Sequence, residues 1–429
     1  MAQLSDDCFA FGGDLLTVDQ ALALLDERVV PVDGTETRPL MAAAGCVLAE
    51  DVVAAFPVPP YDNSAVDGYA VYLDDLAASG ETRLPVAGRA AAGHPLDGPA
   101  PRGAAIRIFT GARMPDGGGG GPGPDTVMMQ EDCRIEGGDV ILPAGLKRGA
   151  NRRFAGEDLR QGQTVLQAGT RLDAPAIGIA ASIGRTHLTV HRPLRVAVFS
   201  TGDEVREPGT PLAPGTIYDA NRFALLAALR RLGCATTDLG ILADRETDIR
   251  GTLAAAADGH DLLLSSGGMS AGEEDHVKAA VESMGSLRFW RLAMKPGRPV
   301  ALGQVRRPSG GSVPFAGLPG NPVAVMVTYM LIARPLILRL SGQTDIALRR
   351  YPVRAGFEHR KKIGRREFLR TRLLSDAAGG LTAEKHGRSG AGILSSLIGA
   401  DGLVDLPEGL DHLQKGMTVQ FLPFSEVIP

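Results

Sequence analysis

The sequence predicts a multidomain α/β protein in which a doubly wound, mostly parallel sheet domain is joined to small β-rich domains. At 429 residues the chain is too long for one ordinary hydrophobic core, so we expect three or four domains. Between residues 193 and 342, short apolar strands alternate with amphipathic helices, a pattern typical of doubly wound sheets. Before and after this segment, strand-like runs lie between glycine and proline turns, which indicates small β domains.

Composition favours a cytoplasmic protein and argues against several classes. The chain is 44% hydrophobic and 22% charged, and its four cysteines form no C-x-x-C pair, which argues against a disulfide framework or a zinc site. The N-terminus lacks the pattern of a signal peptide. The formal charge of −4 argues against a nucleic-acid platform, and the most apolar stretch, 323–338, is interrupted by Arg334 and Pro335. We expect no nucleic-acid partner and no membrane span.

The first third of the chain is predicted to contain a helix and a small β domain. Residues 17–30 carry apolar positions at helical spacing behind Thr17, a residue type that caps helix N-termini. Residues 55–149 contain the strand-like runs YAVYL, AAIRIFTG, TVMMQ and DVILP. Within them, DGGGGGPGPD at 116–125 is interpreted as a loop.

The α/β segment can be assigned element by element. Its predicted strands are RVAVFS, TTDLGIL, DLLLSSGG and shorter runs near FWRLA, VALG and VPFAG. Its predicted helices are NRFALLAALRRLG, ETDIRGTLAAAADG, EDHVKAAVESMG and NPVAVMVTYMLIARPLI, the last with Asn321 and Pro322 at its start. From residue 343 the runs YPVRAGF, REFLRTRLL, GLVDLP and MTVQFLP predict a β-rich C-terminal domain.

Carboxylates, cations and glycine turns follow successive strands of the predicted sheet. Glu204, Asp244 and Asp275 follow the first three strands, and KPGRP supplies Lys295 and Arg298. Ligands bind outside the carboxyl ends of strands in open α/β sheets, so these groups are expected at one edge. Glycine turns and cations suit phosphate, and separated carboxylates suit Mg²⁺. The alternative interpretations are a helix-terminal aspartate, turn-forming acids and surface cations.

Further polar clusters lie outside this sheet. Asp67 belongs to the dense loop PPYDNSAVDG, Thr110 lies at a strand end, and Asp158 follows two arginines in NRRFAGED. The loop is equally explained by an Asx-turn cluster, and NRRFAGED by a structural ion-pair knot. Arg388 and Ser389 lie in a glycine-rich turn before an apolar run.

These motifs resemble the molybdopterin molybdenumtransferase family, which includes the bacterial MoeA-type enzymes and the gephyrin E domain. The matching motifs are PVPPYDNSAVDGYAV, IFTGARMP, NRRFAGEDL, VFSTGDEV, IYDANRFAL, SSGGMSAGEEDHVK, LAMKPGRPVALG and FAGLPGNPVAVMVTY. The resemblance extends from about residue 14 to the C-terminus. The glycine run between Met114 and Asp125 looks longer than in the family, and HGRSGAGILSSL is a looser match.

The resemblance implies an elongated homodimer of four-domain subunits. The implied domains are a discontinuous α+β domain (14–54 and 150–192), a small β domain (55–149), an α/β domain similar to molybdopterin adenylyltransferase (193–342) and a β-rich domain (343–429). The active site is then expected between the α/β domain of one subunit and the small β domain of the other.

The resemblance also assigns residues. The implied catalytic residues are Asp67, Thr110, Asp158, Glu204, Asp244 and Asp275, of which Glu204, Asp244 and Asp275 are the implied metal ligands. The implied cofactor-binding residues are Ser265, Gly267, Gly268, Ser270, Lys295, Arg298, Pro319, Pro322, Arg366, Arg388 and Ser389.

The implied reaction is insertion of molybdate into adenylyl-molybdopterin with release of AMP, which gives the molybdenum cofactor. Mg²⁺ is the expected metal, since it would offset the charge of the pyrophosphate. The expected partners are the molybdopterin adenylyltransferase and the recipient molybdoenzymes or their chaperones. Two alternatives stay open: a pterin or nucleotide adenylyltransferase, which would transfer an adenylyl group from ATP, and a non-catalytic cofactor carrier or scaffold.

Overall fold

The structure, a computed structural model, describes residue 9 and residues 15–268, 276–375 and 379–428. Its centre is a six-stranded sheet. The strand order is Ala235–Leu242, Arg195–Thr201, Leu262–Ser266, Ser312–Leu318, Pro299–Arg306 and Gly285–Arg291. The first four strands pair in parallel, and the last two add antiparallel at one edge. The predicted α/β fold is confirmed, with these two antiparallel strands as its departure from a purely parallel sheet.

Both faces of this sheet are buried, as its continuously apolar strands require. Val196 and Val198 lie in one hydrophobic core, whereas Ala197 and Phe199 of the same strand lie in another. Successive side chains of a strand point to opposite faces, so a strand that is apolar throughout needs cover on both sides. The covering helices are Asn221–Arg231, Glu246–Ala257, His276–Met284, Pro322–Thr328 and Arg334–Leu340.

One long apolar helix runs through the larger core. Pro322–Thr328 continues through a π-helical segment, Tyr329–Ala333, into Arg334–Leu340. Of the helices in the described ranges, this one alone is long and apolar enough to cross a membrane, and 89% of its most apolar window is buried inside the protein. We interpret it as the core helix of the α/β region.

The N-terminal helix packs on the α/β core. Val18–Arg28 begins behind Thr17, whose hydroxyl accepts a hydrogen bond from the Gln20 backbone N–H at 3.1 Å. The Gln20 side chain accepts one from the Thr17 backbone N–H at 3.0 Å, which completes a capping box. The buried face of this helix contacts Arg334–Leu340 and belongs to the larger core.

Chain segments from both sides of the small β region meet in a separate core. Thr35–Pro39 pairs antiparallel with His187–His191, and Val52–Val53 pairs with Thr164–Leu166. The helices Leu40–Ala43 and Ala174–Ser182 contribute buried residues to the same core. Residues before 55 and residues between 159 and 191 therefore fold together.

The small β region contains a second six-stranded sheet. Its strand order is Thr126–Met129, Gly68–Val71, Ala105–Ile108, Glu81–Ala90, Asp139–Pro143 and Arg134–Glu136. Asn63–Ser64 pairs separately with Arg152–Arg153. Short 3₁₀ helices lie at Leu73–Asp75, Gly118–Gly120 and Gln130–Asp132.

The C-terminal strands close into a barrel. Their order is Met294–Lys295, Arg366–Ser375, Leu381–Lys385, Tyr351–Ala355, Thr418–Pro423 and Gly402–Leu406. The last strand pairs back onto Arg366–Ser375, so five strands form a closed ring. Met294–Lys295 comes from the α/β region and ties the barrel to it. Smaller elements are Val205–Arg206 with Ile217–Tyr218, His359–Arg360 with His412–Leu413, the 3₁₀ helix Leu394–Leu397 and the helix Phe424–Val427.

A buried carboxylate anchors the chain where it enters the α/β sheet. Asp261 precedes the strand Leu262–Ser266, is 1% exposed, and accepts hydrogen bonds from both terminal nitrogens of Arg192 at 2.6 and 2.9 Å. It also accepts them from the side chain and backbone N–H of Arg195. Burial alone would raise the pKa of Asp261, but the hydrogen bonds from Arg192 and Arg195 outweigh burial and lower it.

Candidate functional site

A cavity of about 1010 Å³ lies between the carboxyl edge of the α/β sheet and the barrel. Two sets of residues line its opposite sides. The α/β wall consists of Thr201, Gly202, Glu204, Asp244, Gly267, Gly268 and Pro319. The barrel wall consists of Lys295, His359, Glu367, Arg370, Lys385, Arg388 and Ser389. Arg298 and His386 also line this cavity, which is therefore enclosed by two different folding units.

The α/β wall is built by residues that directly follow strands. Glu204 follows Arg195–Thr201, and Asp244 follows the neighbouring strand Ala235–Leu242. The two strands are parallel neighbours, so their carboxyl ends bring both acids to one edge of the cavity.

The glycine turn after the third strand is required by close packing. Gly267 and Gly268 have φ values of +87° and +65°. A Cβ on Gly267 would lie 2.8 Å from the carbonyl oxygen of Thr201, and a Cβ on Gly268 would lie 2.5 Å from Val277 Cγ2. Side chains are excluded at both positions, and the backbone lies open to the cavity.

Lys295 and Arg298, two of the predicted binding residues, both line the cavity. The Lys295 ammonium lies 3.4 Å from a carboxylate oxygen of Glu367, and its side chain is 55% exposed. Strand pairing places Lys295 directly beside Glu367. Arg298 is exposed at the edge of the same segment.

Arg370 is a cavity residue that the sequence did not single out. It is 9% exposed, and one of its terminal nitrogens donates to the carbonyl oxygens of Arg388 at 3.1 Å and Gly390 at 3.4 Å. Its Nε atom has no hydrogen-bond partner among the described residues. Burial lowers the pKa of Arg370, although a guanidinium stays charged in proteins. Arg370 thus supplies positive charge from inside the barrel.

Glu367, His359 and Lys385 were also missed. A signal was present, because REFLRTRLL places charges at 367 and 370, an odd spacing that a strand with one polar face does not accommodate. Only the closure of the barrel reveals that both charged side chains lie at the cavity.

Asp67 and Thr110 lie together but do not line the cavity. The backbone N–H and the hydroxyl of Thr110 both donate to one carboxylate oxygen of Asp67, at 2.8 Å each. The backbone hydrogen bond, followed by the hydroxyl, lowers the pKa of Asp67. Asp158 is exposed, and the nearby Arg152 pairs with Asp62.

Several other residues predicted for the site are paired with distant side chains, buried in the protein, or outside the described residues. Arg366 directs its guanidinium to Asp19 in the N-terminal helix, with two hydrogen bonds of 3.0 and 2.9 Å, and does not line the cavity. Ser265 is fully buried, with no partner for its hydroxyl among the described residues. Pro322 is the first residue of the core helix. Ser270 and Asp275 lie outside the described residues.

The carboxylates of the α/β wall are the residues able to hold a hard cation. Glu204 and Asp244 offer oxygen ligands, the type that Mg²⁺ prefers. Within the described ranges, no group of three or more histidine, cysteine or carboxylate side chains is close enough to hold a metal. The third expected ligand, Asp275, falls outside those ranges.

Models of known families match three parts of the chain. The "MoeA N-terminal region (domain I and II)" matches residues 16–184, a "probable molybdopterin binding domain" matches residues 197–339, and the "MoeA C-terminal region (domain IV)" matches residues 352–424.

Relatives match the chain over nearly its whole length. A molybdopterin molybdenumtransferase of Haemophilus influenzae is 36% identical over 416 residues, which cover 96% of this chain and 100% of that protein. Molybdopterin molybdenumtransferase 2 of Mycobacterium tuberculosis is 34% identical over 90% of this chain and 94% of its own length. The solved structure of the molybdopterin biosynthesis MoeA protein from Pyrococcus horikoshii OT3 superimposes with a TM-score of 0.78 at 27% identity, covering 96% of this chain and 100% of that one.

Proposed function

The chain belongs to the molybdopterin molybdenumtransferase family, a family of transferases, and we propose that it inserts molybdate into adenylyl-molybdopterin with release of AMP. The main support for this proposal is that side chains of opposite charge lie on opposite walls of one cavity. Two carboxylates lie on the α/β wall, and several cations lie on the barrel wall. A substrate with a pyrophosphate and an incoming oxyanion needs both kinds of group.

The barrel wall suits the anionic groups. Arg370 contributes a guanidinium to the lining of the cavity, and Lys295 offers an ammonium that is half exposed. Molybdate and phosphate are tetrahedral oxyanions that accept several hydrogen bonds, and charge-assisted bonds to them are strong. The open backbone at Gly267 and Gly268 adds room for a phosphate group at the opposite wall.

The α/β wall suits a divalent cation. Glu204 and Asp244, together with Asp275, would hold Mg²⁺, which would offset the charge of the pyrophosphate during its cleavage. The protein's own task is then to hold the two reacting groups side by side. Two molybdenum–sulfur bonds form as one oxygen of molybdate leaves as water with the two protons of the dithiol, and hydrolysis of the phosphoanhydride by water frees AMP and leaves a monophosphate on the pterin.

We propose that the functional unit is a homodimer. Asp67, Thr110 and Asp158 match the family's functional residues, yet they do not line the cavity of their own chain. The small β domain of a second subunit would bring them to it. Supporting this, the hydrogen bonds from Thr110 keep Asp67 anionic on an accessible surface, which is suited to a contact with substrate.

The proposed domain organisation follows the packing. We propose a discontinuous domain from residues 14–54 and 150–192, a small β domain at 55–149, an α/β domain at 193–342 and a barrel domain at 343–429. The helix Val18–Arg28 packs on the α/β core and would link the first domain to the third.

The proposed setting is the cytoplasm. There the chain would receive adenylyl-molybdopterin from a separate adenylyltransferase and pass the finished cofactor to molybdoenzymes or their chaperones. The 22% content of charged residues and the scattered cysteines are compatible with this compartment.

The test is reconstitution with purified protein, adenylyl-molybdopterin, Mg²⁺ and molybdate. We expect AMP release that depends on molybdate, together with activation of a molybdoenzyme that lacks its cofactor. Adenylyl transfer from ATP to molybdopterin would indicate an adenylyltransferase instead. Tight binding of the pterin without AMP release would indicate a carrier or scaffold, and either result would overturn the proposal.

A further inference from the structure

Four polar side chains form a continuous row along the barrel wall. The Lys385 ammonium lies 3.3 Å from Nδ1 of His359, and Nε2 of His359 lies 2.9 Å from a carboxylate oxygen of Glu367. The other carboxylate oxygen of Glu367 lies 3.4 Å from the Lys295 ammonium. All four residues line the cavity. The row therefore links two ammonium groups through one imidazole and one carboxylate.

The hydrogen-bond partners fix the tautomer of His359. An ammonium has three donors and no acceptor, so Nδ1 of His359 must accept the hydrogen bond from Lys385. Nε2 then carries the hydrogen and donates a hydrogen bond to the Glu367 carboxylate. The imidazole is held at both ends, which orients its ring.

Lys385 is fixed by further contacts. It donates to the backbone carbonyl of Glu358 at 3.1 Å and lies 4.9 Å from the ring centroid of Phe357. Partial burial lowers the pKa of this lysine, although the residue as a whole is exposed. Its position is thus set by the barrel.

Glu367 is the organising group of the row. It is 1% exposed, and a buried carboxylate is costly unless charges and donors surround it. Burial alone would raise the pKa of Glu367, but the hydrogen bond from His359 and the charge of Lys295 outweigh burial and lower it. Arg365 lies further away, at 3.8 Å. The carboxylate is therefore anionic and holds donors on two sides.

We propose that Glu367 and His359 are positioning residues that fix the ammonium groups of Lys295 and Lys385 on the cavity wall, where both bind a tetrahedral oxyanion. The inference rests on the proposed function. The oxyanion is either molybdate or a phosphate of the adenylylated pterin. Glu367 and His359 act through the lysines and do not touch the substrate.

The decisive experiment is a double-mutant cycle on Glu367 and Lys295. Glu367→Gln keeps the size of the side chain but removes its charge. We expect it to raise the KM for the bound oxyanion by about 10-fold or more, with a smaller change in kcat, because it loosens a charged hydrogen bond. In a Lys295→Met background, Glu367→Gln should have a much smaller effect, since only the part transmitted through His359 to Lys385 is left.

The two possible oxyanions are distinguished by the substrate whose KM changes in the Glu367→Gln variant. A change confined to molybdate assigns the row to the incoming metal oxyanion, and a change confined to adenylyl-molybdopterin assigns it to the phosphate. His359→Gln, whose amide can still donate to Glu367, should retain more activity than His359→Ala. This rescue by a donor is not expected if His359 only fills space.

A matched control separates positioning from stability. Asp405 is a buried carboxylate of the same barrel, 5% exposed and paired with Arg350 at 2.8 Å, and it does not line the cavity. Asp405→Asn should leave both KM values unchanged in the folded protein. Circular dichroism verifies that each variant is folded. If Glu367→Gln fails to fold, the comparison of His359→Gln with His359→Ala tests the positioning role instead.

Direct binding separates this inference from the proposed function. Calorimetric titration with molybdate and with inorganic phosphate needs no turnover. If the wild type releases no AMP but Glu367→Gln weakens oxyanion binding much more when Lys295 is present than in the Lys295→Met background, the positioning role stands and the function fails. If the effects of Glu367→Gln and Lys295→Met simply add, the positioning role is wrong, whatever the wild type catalyses.

Discussion

The two walls of the cavity carry opposite charge and have different structural origins. The α/β wall presents Glu204 and Asp244 on turns that follow parallel strands. The barrel wall presents cations from strands and from the turn around Arg388. Among the described residues, the carboxylate on this wall is Glu367, which is paired with His359 and Lys295. In the function proposed above, the cation and the oxyanion would therefore bind on opposite walls of the cavity.

This separation has a physical advantage. If carboxylates and cations shared one wall, they would pair with each other and be neutralised before a ligand arrived. Placing them across a cavity lets a charged ligand bridge the two sides, and the ligand itself completes the neutralisation. The account therefore predicts that substitutions in the two walls have different effects, and that a charge cluster outside both walls does not alter catalysis.

The largest effect on activity is expected from the α/β wall. Replacing Glu204 by Gln and Asp244 by Asn in one variant should lower the rate of molybdate-dependent AMP release by about 100-fold to 1000-fold, because the charge on the pyrophosphate is no longer offset by a bound cation. The rate should also lose most of its dependence on Mg²⁺ concentration, measured by following AMP over a titration of the metal.

A charge-matched control is available for this variant. Glu27 and Glu282 are exposed and do not line the cavity. Replacing both by Gln changes the net charge by the same amount and should leave the rate within about twofold of the wild type. Equal losses in the two double variants would mean that overall charge, and not the α/β wall, determines the rate.

The smallest effect on activity is expected at the opposite end of the sheet. Asp261 precedes a strand whose carboxyl end reaches the cavity, and it is held by Arg192 and Arg195. Asp261→Asn should lower the free energy of unfolding by about 2–3 kcal/mol, less than for a fully buried pair because the arginines are partly exposed. AMP release per folded molecule should not change.

The pH dependence of this variant has a defined sign. The pKa of Asp261 is lower in the folded protein than its unfolded value of about 3.9. Its stabilising contribution is therefore fully present above about pH 4 and is lost as the pH falls through the folded pKa. Chemical denaturation at pH 6 and near pH 3 should show the gap between wild type and Asp261→Asn shrinking at the lower pH. A gap that stays constant would contradict the role of the ionised carboxylate.

The α/β wall and the barrel wall also differ in how much the sequence reveals. The position of Glu204 and Asp244 follows from a local rule, since each lies directly after an apolar strand and parallel strands end at a common edge. The glycines after the third strand are visible for the same reason. The class of the sheet and the positions of its helices also follow from local sequence patterns, and the structure confirmed both predictions.

The barrel wall depends on contacts between distant parts of the chain. Arg370 lies inside the cavity because Gly402–Leu406 pairs back onto Arg366–Ser375, a closure that no local pattern specifies. Arg366, four residues earlier, reaches Asp19 in the N-terminal helix, a contact across more than 340 positions. The family resemblance pointed to Arg366, and the structure places Arg370 at the cavity. Composition gives no means of choosing between two arginines on one strand.

The most direct test of the two-wall account is anomalous X-ray diffraction from crystals soaked with Mn²⁺ and molybdate, in which each ion is located by its own absorption edge. The account predicts a manganese peak within coordinating distance, about 2.0–2.3 Å, of the carboxylates of Glu204 and Asp244. A molybdenum peak is expected across the cavity, with the oxygens of molybdate within hydrogen-bond distance of Lys295, Lys385 or Arg370. A molybdenum peak on the α/β wall, or manganese bound only elsewhere, would contradict it.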